Sequence, residues 1–356
     1  MKKYNLFSDV LLTEGYLRSC LLDSLNSKVY LISKDESHYI ILNKNKGLEL
    51  FLFSNENADV LIDNELLFEV SDTLIDNFPS IEPSWNFPFL LTNIVININS
   101  YSICNLHKLN DFEDVFHYTF VFTSVLDFYH LDLLFEFIEK SFVDSIEFYF
   151  YDIEFNNEIY KCLVEKIENC KKILILNNLN NYLNFSEFVI NQRLDDKISN
   201  FSKTLLHYSE SQHHHTYFNR KLYISSSGEL KNAPECTESF GNIQDINSHE
   251  ELKQIVSTPE FQKYWFVKKD ETDVCKDCEF RHMCVDNRLP YERSPNEWYH
   301  KIECNYNPYI AKWEGEEGYR TLAECGVISN EEGFSIDHEK IAEINEELWG
   351  EDDDNV

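Results

Sequence analysis

Four cysteines in the last third of the chain are the residues whose type and spacing indicate chemistry most clearly. Cys275, Cys278, Cys284 and Cys304 follow the pattern C-x2-C-x5-C-x19-C. Thiolates are metal ligands, and metal binding offsets the cost of ordering a loop-rich segment. Two occupants suit four thiolates, a zinc ion and an iron–sulfur cluster. Zinc sites commonly use two separated pairs of ligands, whereas three ligands here share one loop. The spacing therefore favours the bulkier iron–sulfur core, with zinc as the alternative.

The other candidate ligands carry weaker signals. His282 lies between two of the cysteines and His300 lies four residues before the last one, so either could replace a thiolate. Histidines in such places more often hydrogen-bond the ligands than bind the metal. Cys236 is either a further ligand or a buried thiol. His213–His215 are consecutive residues, which do not share one face of a strand, so we expect them in a loop. Four unligated thiols are the remaining alternative.

Motifs for nucleotide chemistry are absent from the sequence. Residues 48–227 contain no glycine, and neither a P-loop nor a dinucleotide fingerprint occurs anywhere in the chain. Both motifs need glycine for tight turns and for close approach of the backbone to phosphate. No local Ser/His/Asp, Cys/His or paired-carboxylate signature stands out among the many acidic residues. The chemical signal is therefore confined to the four cysteines.

The composition is that of a folded and strongly acidic protein. Of 356 residues 15% are aromatic, and 63 acidic against 31 basic residues give a formal charge of −32. Such a surface repels phosphate backbones, which argues against nucleic acid, and it suits a basic partner or peptide or simply solubility. No apolar run approaches the roughly 20 residues that span a bilayer, and no signal peptide is evident. We expect a cytoplasmic protein without membrane contact, in which ten cysteines bind metal or stay free.

Residues 1–90 are expected to form a small α+β domain, with "KVYLIS" and "HYIILNKN" as two strands joined by the polar turn "KDES". Over residues 91–212, strand and helix patterns alternate. "NIVININS", "SIEFYFYDIEF" and "KKILILNN" are predicted strands. The residues at helical spacing between them are Leu131, Leu134, Phe135, Ile138 and Phe142, and then Ile159, Leu163, Ile167 and Cys170. This alternation predicts βαβ units with a parallel sheet, and hence the α/β class.

The character of the sequence changes after residue 213. "KLYISSSGELKN" predicts a hairpin with Gly228 at its turn, and the cysteine segment completes a domain over residues 213–313. Residues 314–356 form an acidic tail, which contains 15 acidic and two basic residues. Ile341, Ile344 and Leu348 fall on one face of a helix predicted to end at Gly350. This helix either covers its own domain or docks a partner.

The cysteine-rich domain resembles a known one. "GELKNAPECTESFGNI", followed by C-x2-C-x5-C and a late cysteine, is similar to the SPASM domain, the C-terminal extension of radical SAM peptide-modifying enzymes. The resemblance implies that Cys275, Cys278, Cys284 and Cys304 bind one auxiliary [4Fe–4S] cluster. A second auxiliary cluster takes a cysteine four residues after the trio, where this chain has Arg288. The second cluster is therefore expected to be lost.

The same resemblance implies a change upstream. Radical SAM enzymes carry C-x3-C-x2-C after their first barrel strand, but "YSICNLHKLNDF" offers Cys104 alone, and the glycine-rich turn that binds S-adenosylmethionine is missing. Residues 91–212 are accordingly expected to form a degenerate radical-SAM-like partial (β/α) barrel that has lost its radical chemistry.

The combination resembles the SPASM proteins of grasp-with-SPASM peptide maturation systems, which accompany an ATP-grasp ligase and a short precursor peptide. "WYHKIECNYNPYIAKW" is the most specific match. "EGYLRSCLLDSLNSKVYLIS" is similar to the opening of those proteins and to the peptide-recognition domain of enzymes that modify ribosomally made peptides (RiPPs), where a leader peptide adds as a strand to a sheet edge. The resemblance implies a component that recognises the precursor and works beside the ligase. The alternatives are an active peptide-modifying oxidoreductase with an iron–sulfur cluster and a zinc-binding adaptor.

Overall fold

The computed structural model describes residues 2–44, 46–71, 73–78, 81–109, 115–143, 145–150, 157–170, 173–178 and 201–350. The chain divides into two compact units. The first unit comprises Met1–Trp85, Ile198–Thr216 and Val267–Val356, and the second comprises Asn86–Lys197 and Tyr217–Phe266. The protein is mixed α/β, with a sheet of mostly parallel strands in the second unit. The two units are defined by which residues pack together. The division of the sequence into four domains is a separate matter and stays a prediction.

The strands, in chain order, are β1 (Lys3–Leu6), β2 (Val10–Glu14), β3 (Arg18–Asp23), β4 (Lys28–Ser33), β5 (Leu67–Val70), β6 (Asn93–Ile98), β7 (His117–Phe122), β8 (Ser145–Phe150), β9 (Ile173–Asn178), β10 (Lys221–Ile224), β11 (Leu230–Lys231), β12 (Pro290–Ser294), β13 (Glu297–His300), β14 (Tyr306–Asn307), β15 (Lys312–Trp313), β16 (Val327–Ser329) and β17 (Phe334–Ile336). The α-helices are α1 (Lys34–Asn43), α2 (Asn55–Asp63), α3 (Ser100–Asn105), α4 (Phe128–Lys140), α5 (Asn157–Asn169), α6 (Leu205–Ser211), α7 (His249–Val256) and α8 (His338–Trp349).

The first unit is built around the antiparallel sheet β2–β3–β4, in which β2 and β4 are the edges. Alternation along β3 sends Leu21 to one face and Cys20 and Leu22 to the other. The Leu21 face packs in one apolar core with Ile40 of α1 and Leu61 of α2. The opposite face packs in another core with apolar side chains of the cysteine segment. Both faces of this small sheet are therefore covered.

The predicted strand "HYIILNKN" is wrong, because residues 38–43 belong to helix α1 and Lys44 is its C-cap; Asn45 lies outside the described residues. The "KDES" segment is the first turn of this helix and not a turn between strands. Ser33 accepts a hydrogen bond from the backbone N–H of Glu36, and the Glu36 carboxylate accepts one from the backbone N–H of Ser33. This reciprocal capping box satisfies donors at the start of the helix. The capping box therefore outweighs the strand-like composition of the segment.

The second unit contains a six-stranded sheet in the order β11–β10–β6–β7–β8–β9. Strands β10, β6, β7, β8 and β9 are parallel neighbours, and helices α4 and α5 follow β7 and β8 in the chain. The predicted parallel sheet is confirmed, although residues 151–155 of "SIEFYFYDIEF" and residues 171–172 of "KKILILNN" lie outside the described residues. The predicted hairpin is also confirmed, with β11 antiparallel to β10 and Gly228 at a φ of 82°. Phe142 lies beyond the end of α4 and is exposed.

The C-terminal part of the first unit consists of short antiparallel pairs, β12–β13, β14–β15 and β16–β17, followed by α8. The predicted C-terminal helix is confirmed, and Gly350 is its C-cap. Ile341 and Ile344 are buried against Tyr309, Ile310 and other apolar residues of the same unit. Helix α8 thus covers its own unit. Among the described residues, no helix is long and apolar enough to cross a membrane.

Candidate metal centre

The first three cysteines lie on a strained, tightly turned segment. Cys275 begins the short 3-10 helix Cys275–Asp277, and Cys278 follows it directly. Val274 has φ 65° and ψ −48°, and the backbone N–H of Cys275 donates to Asp273 O at 2.7 Å. This is a three-residue γ-turn with positive φ, which is rare and costly for a β-branched residue. Such strain persists where the surroundings fix the backbone, and it often lies at functional sites.

The four predicted cysteines lie close enough to influence one another's ionisation. Cys275 is buried, and Cys278, Cys284 and Cys304 are partly buried. Burial raises the pKa of Cys284 to about 12, with a smaller upward contribution from the Cys304 and Cys275 thiols. Burial also raises the pKa values of Cys275 and Cys278, and Cys304 contributes to both. The raised pKa values keep the thiols of Cys275, Cys278 and Cys284 protonated in the absence of metal, and metal binding would release those protons.

Hydrogen-bond donors point at three of the four sulfur atoms. The backbone N–H groups of Phe280 and Tyr306 donate to Cys278 Sγ at 3.4 Å and to Cys304 Sγ at 3.5 Å. Arg288 Nη2 lies 3.7 Å from Cys275 Sγ and donates to it. Donors to sulfur stabilise thiolates and tune the metals that thiolates bind. The chemistry of this donor set fits a metal site.

A buried ionic network adjoins Cys275. Asp286 Oδ2 accepts from Lys269 Nζ at 3.1 Å and from Arg288 Nη2 at 2.6 Å, and it lies 3.5 Å from His300 Nε2. Burial alone would raise the pKa of Asp286, but Lys269 and Arg288 reverse this and hold it well below the usual range. Burial lowers the pKa of His300 to about 4, and its Nδ1 faces Leu289 O at 3.1 Å. The network thus places two fixed cations beside the thiols.

Two donor sets in this region could hold a metal. Among the described residues, Cys275, Asp286 and His300 are the group whose ligand atoms all lie within 4.8 Å of one another, and the four cysteine sulfurs form no such group. Tetrahedral zinc with Zn–S bonds of about 2.3 Å would bring its sulfur ligands to about 4 Å from one another. His300 thus belongs to a possible metal-binding group, as its position in the sequence suggested. That group contains one of the four cysteines, Cys275, rather than all four.

His282 is part of a Ser–His–Asp arrangement that sequence inspection missed. Its Nδ1 lies 3.0 Å from Ser211 Oγ and its Nε2 lies 3.7 Å from Asp270 Oδ1. Ser211 is buried, however, and its hydroxyl donates to Tyr208 O at 2.6 Å. A nucleophilic serine must give its proton to the histidine. The Ser211 hydroxyl already donates its hydrogen bond to the carbonyl of Tyr208, so it is not poised to donate to His282. The arrangement therefore packs helix α6 against the cysteine segment.

The other candidates, Cys236 and His213–His215, and the remaining cysteines lie outside residues 275–304. Cys236 is buried in the second unit, where burial raises the pKa of its thiol to about 11, and Cys104 is exposed on α3 of that unit. Cys20 and Cys325 are buried in apolar cores of the first unit. His213–His215 follow helix α6 in a turn, as predicted.

A second feature of the first unit is a groove with a volume of about 810 Å³ along strand β2. Phe7, Ile41 and Phe78 line it and are all exposed, which is unusual for large apolar side chains grouped in one place. Among the described strands β2 pairs with β3 alone, and its other edge faces the groove, where the Tyr208 hydroxyl and Arg281 donate to the carbonyls of Leu12 and Glu14. No local sequence pattern marks this groove, because its walls combine residues between positions 5 and 83 with Tyr208 and Arg281.

Comparison with known proteins adds no further assignment. No protein-family model, no curated protein and no solved structure matches this chain. Any function must therefore be argued from the cysteine site and the groove themselves.

Proposed function

We propose that this chain recognises a precursor peptide in a RiPP maturation system, works beside an ATP-grasp ligase, and carries one [4Fe–4S] cluster on Cys275, Cys278, Cys284 and Cys304. The observation that carries the proposal is the gathering of the four thiols on a segment that Arg281 joins to the groove along edge strand β2. The resemblance to grasp-with-SPASM proteins supplies the biological setting. The resemblance assigns the cluster to these four cysteines, and the hydrogen-bond donors directed at three of their sulfur atoms support that assignment.

The donor set supports a cluster over a zinc ion. The sulfur atoms do not form a compact group of the kind that a single tetrahedral ion requires. A [4Fe–4S] core is larger and is held by four thiolates, and it would supply either structural cross-linking or one-electron chemistry. The backbone N–H groups of Phe280 and Tyr306 would hydrogen-bond the ligand sulfurs in either case.

Arg288 supports a single cluster. It stands where the SPASM pattern places a ligand of the second cluster, and its guanidinium donates to Asp286, to Ile302 O at 2.9 Å and to Cys275 Sγ. A second cluster at that position would lose a ligand and face this fixed cation. Between β6 and β7 Cys104 is the lone cysteine, which leaves a SAM-binding cluster without its set of three ligands. The second unit then serves as a degenerate barrel without radical chemistry.

The groove supports peptide recognition. An extended peptide could lie in the groove beside β2, where the outward carbonyls of Leu12 and Glu14 already accept from Tyr208 and Arg281, so apolar side chains rather than a full ladder of main-chain hydrogen bonds would carry the recognition. Phe7, Ile41 and Phe78 would receive apolar side chains of the peptide. Lys44 at the end of α1 also lines the groove and would favour a nearby carboxylate.

The metal part of the proposal is tested on protein purified without oxygen. Iron, zinc and sulfide are measured together with the absorption spectrum, for the natural chain, for Cys284→Ser and for the control Cys104→Ser. We expect about four iron and four sulfide per chain in the natural protein and the control, and a strong loss in Cys284→Ser. One zinc without sulfide would favour the adaptor interpretation. Cleavage of S-adenosylmethionine by the natural protein would favour the oxidoreductase.

The recognition part is tested with a random library of ten-residue peptides displayed on phage, selected against metal-loaded protein. Selected peptides are then synthesised with a fluorophore and titrated by anisotropy against the natural chain and Phe78→Asp. We expect peptides enriched in apolar residues, with at least tenfold weaker binding to Phe78→Asp because a carboxylate enters an apolar wall. Phe142→Asp, at an exposed position of the second unit, is the matched control. Equal affinity for all three proteins would refute recognition in this groove.

A further inference from the structure

The cysteine segment supplies part of the groove. Arg281 lies between Cys278 and Cys284 in the sequence and lines the groove beside β2. Its Nη1 donates both to Glu14 O, at the end of β2, and to Cys278 O at 3.1 Å. Its Nε donates to Asp270 Oδ1 at 2.8 Å, which fixes the guanidinium in this orientation. One side chain therefore joins the backbone of a predicted ligand to the backbone of the edge strand.

Other hydrogen bonds fasten the same strand and its hairpin. The Tyr208 hydroxyl donates to Leu12 O at 3.2 Å, in the middle of β2. The backbone N–H of Tyr16, in the β2–β3 turn, donates to Asp277 O at 2.7 Å. Arg18 at the start of β3 pairs with Glu279 at 2.7 Å. Asp277 and Glu279 flank Cys278, so the hairpin is held by the residues on both sides of a ligand.

The two parts also share an apolar core. Leu11 and Leu22 of the sheet pack in one cluster with Phe280 and Met283 of the cysteine segment, and Cys278 packs against that cluster. Gly15 makes the approach possible, because a Cβ there would lie 2.8 Å from Glu279 N. The cysteine segment itself has little regular structure between the 3-10 helix Cys275–Asp277 and β12. Its conformation must therefore depend on cross-links, and a metal on four thiolates is the strongest cross-link that its residues offer.

We propose that metal on the four cysteines positions the edge strand β2 and with it the peptide groove, so that the groove is competent only in the metal-loaded protein. Arg281 and Tyr208 act as positioning residues in this coupling. The inference rests on the proposed function for the identity of the ligand, but the coupling between metal and strand can be measured without any peptide. Loss of the metal frees Cys278 and its neighbours. Glu14 O then loses the fixed donor Arg281, and the backbone N–H of Tyr16 loses the fixed acceptor Asp277 O.

The test is amide hydrogen exchange of the metal-loaded protein and of protein stripped by a chelator, analysed peptide by peptide. We expect exchange in residues 10–23 to accelerate at least tenfold on stripping. Strand β7 of the second unit is the internal control and should change by less than twofold. Unchanged exchange in residues 10–14 at complete metal loss would overturn the inference.

Two variants keep the proposal testable if stripping unfolds the whole first unit. Arg281→Gln and Tyr208→Phe each remove a bond to β2, and the metal content of each is measured alongside. Faster exchange in residues 10–14 at full metal content supports the coupling, whereas exchange equal to that of the control Arg320→Gln overturns it. Arg320 pairs with Glu347 at the surface and does not contact β2.

The peptide titration separates the two proposals. A selected peptide that binds at least tenfold more weakly to stripped protein supports both of them. Equal affinity with and without metal overturns the coupling alone. A metal-loaded protein that selects no peptide, while its β2 exchange still depends on metal, overturns the proposed recognition function alone.

Discussion

Replacement of Gly15 by alanine tests the contact between the β2–β3 hairpin and the cysteine segment. An added Cβ would lie 2.6 Å from Arg18 O, 2.8 Å from Glu279 N and 2.9 Å from Glu279 Cβ. Two of these three atoms belong to the backbone and cannot move without a shift of the hairpin or of the residue after Cys278. Overpacking of this kind typically costs about 1–3 kcal/mol. We expect Gly15→Ala to destabilise the first unit by that amount.

The matched control is Gly333→Ala. A Cβ at Gly333 would meet no atom within 4 Å, and neither glycine has positive φ, so both tolerate the alanine backbone. Alanine lowers the entropy of the unfolded chain and by itself stabilises by about 0.4–1 kcal/mol, which applies equally to both variants. The difference between them therefore isolates the steric clash.

The assay is urea unfolding of metal-loaded protein, followed by fluorescence and by exchange in residues 10–23, with metal content measured on the same samples. We expect Gly15→Ala to unfold at lower urea than Gly333→Ala, to lose metal earlier, and to exchange faster in β2. Equal midpoints for the two variants would refute the close approach, and with it the steric basis for coupling the hairpin to the ligand segment.

Three further predictions concern stability and use chemical denaturation. Burial opposes ionisation of Glu36, but hydrogen bonds from the backbone of Ser54 and Ser33 lower its pKa below the ordinary 4.5, so its contribution is present above that pH and is lost as pH falls through the lower folded value. Glu36→Gln should cost about 1–3 kcal/mol at neutral pH and remove this acid dependence. Lys269→Met leaves Asp286 with one cationic partner and should cost about 3 kcal/mol, whereas Lys140→Met at the surface should change little. Ile344→Ala should cost about 2–4 kcal/mol because α8 is part of the core, and an unchanged midpoint would make α8 a detachable docking helix.

The parts of the fold that sequence could predict are those governed by local periodicity. The alternation of apolar strands and amphipathic helices predicted the parallel sheet of the second unit, and Gly228 marked its hairpin. Helix α1 was missed because its apolar residues cluster as they do in a strand. The deciding signal was a serine with a glutamate three residues later, Ser33 and Glu36, which marks the start of a helix.

The parts of the site that sequence could not predict depend on contacts between distant segments. Cysteine spacing predicted the four thiols, but Lys269 lies before the motif, Asp286 occupies a position that the motif leaves unspecified, and no local pattern marks either residue. The groove is less predictable still, since Arg281 and Tyr208 reach β2 from positions about 200 or more residues away. The spacing of the cysteines indicates which residues bind the same metal. The charged residues beside them and the shape of the groove follow only from the tertiary fold.

Charge compensation also discriminates between the two donor sets. Four thiolates around either a zinc ion or a cubane core carry net negative charge, which must be balanced when it is buried. Lys269 and Arg288 lie next to these thiols, and Asp286 neutralises only one of them. A bare divalent cation on Cys275, Asp286 and His300 would instead face both cations and compete with them for the Asp286 oxygens. The electrostatics therefore favour an anionic assembly on the four cysteines over a cation on the mixed group.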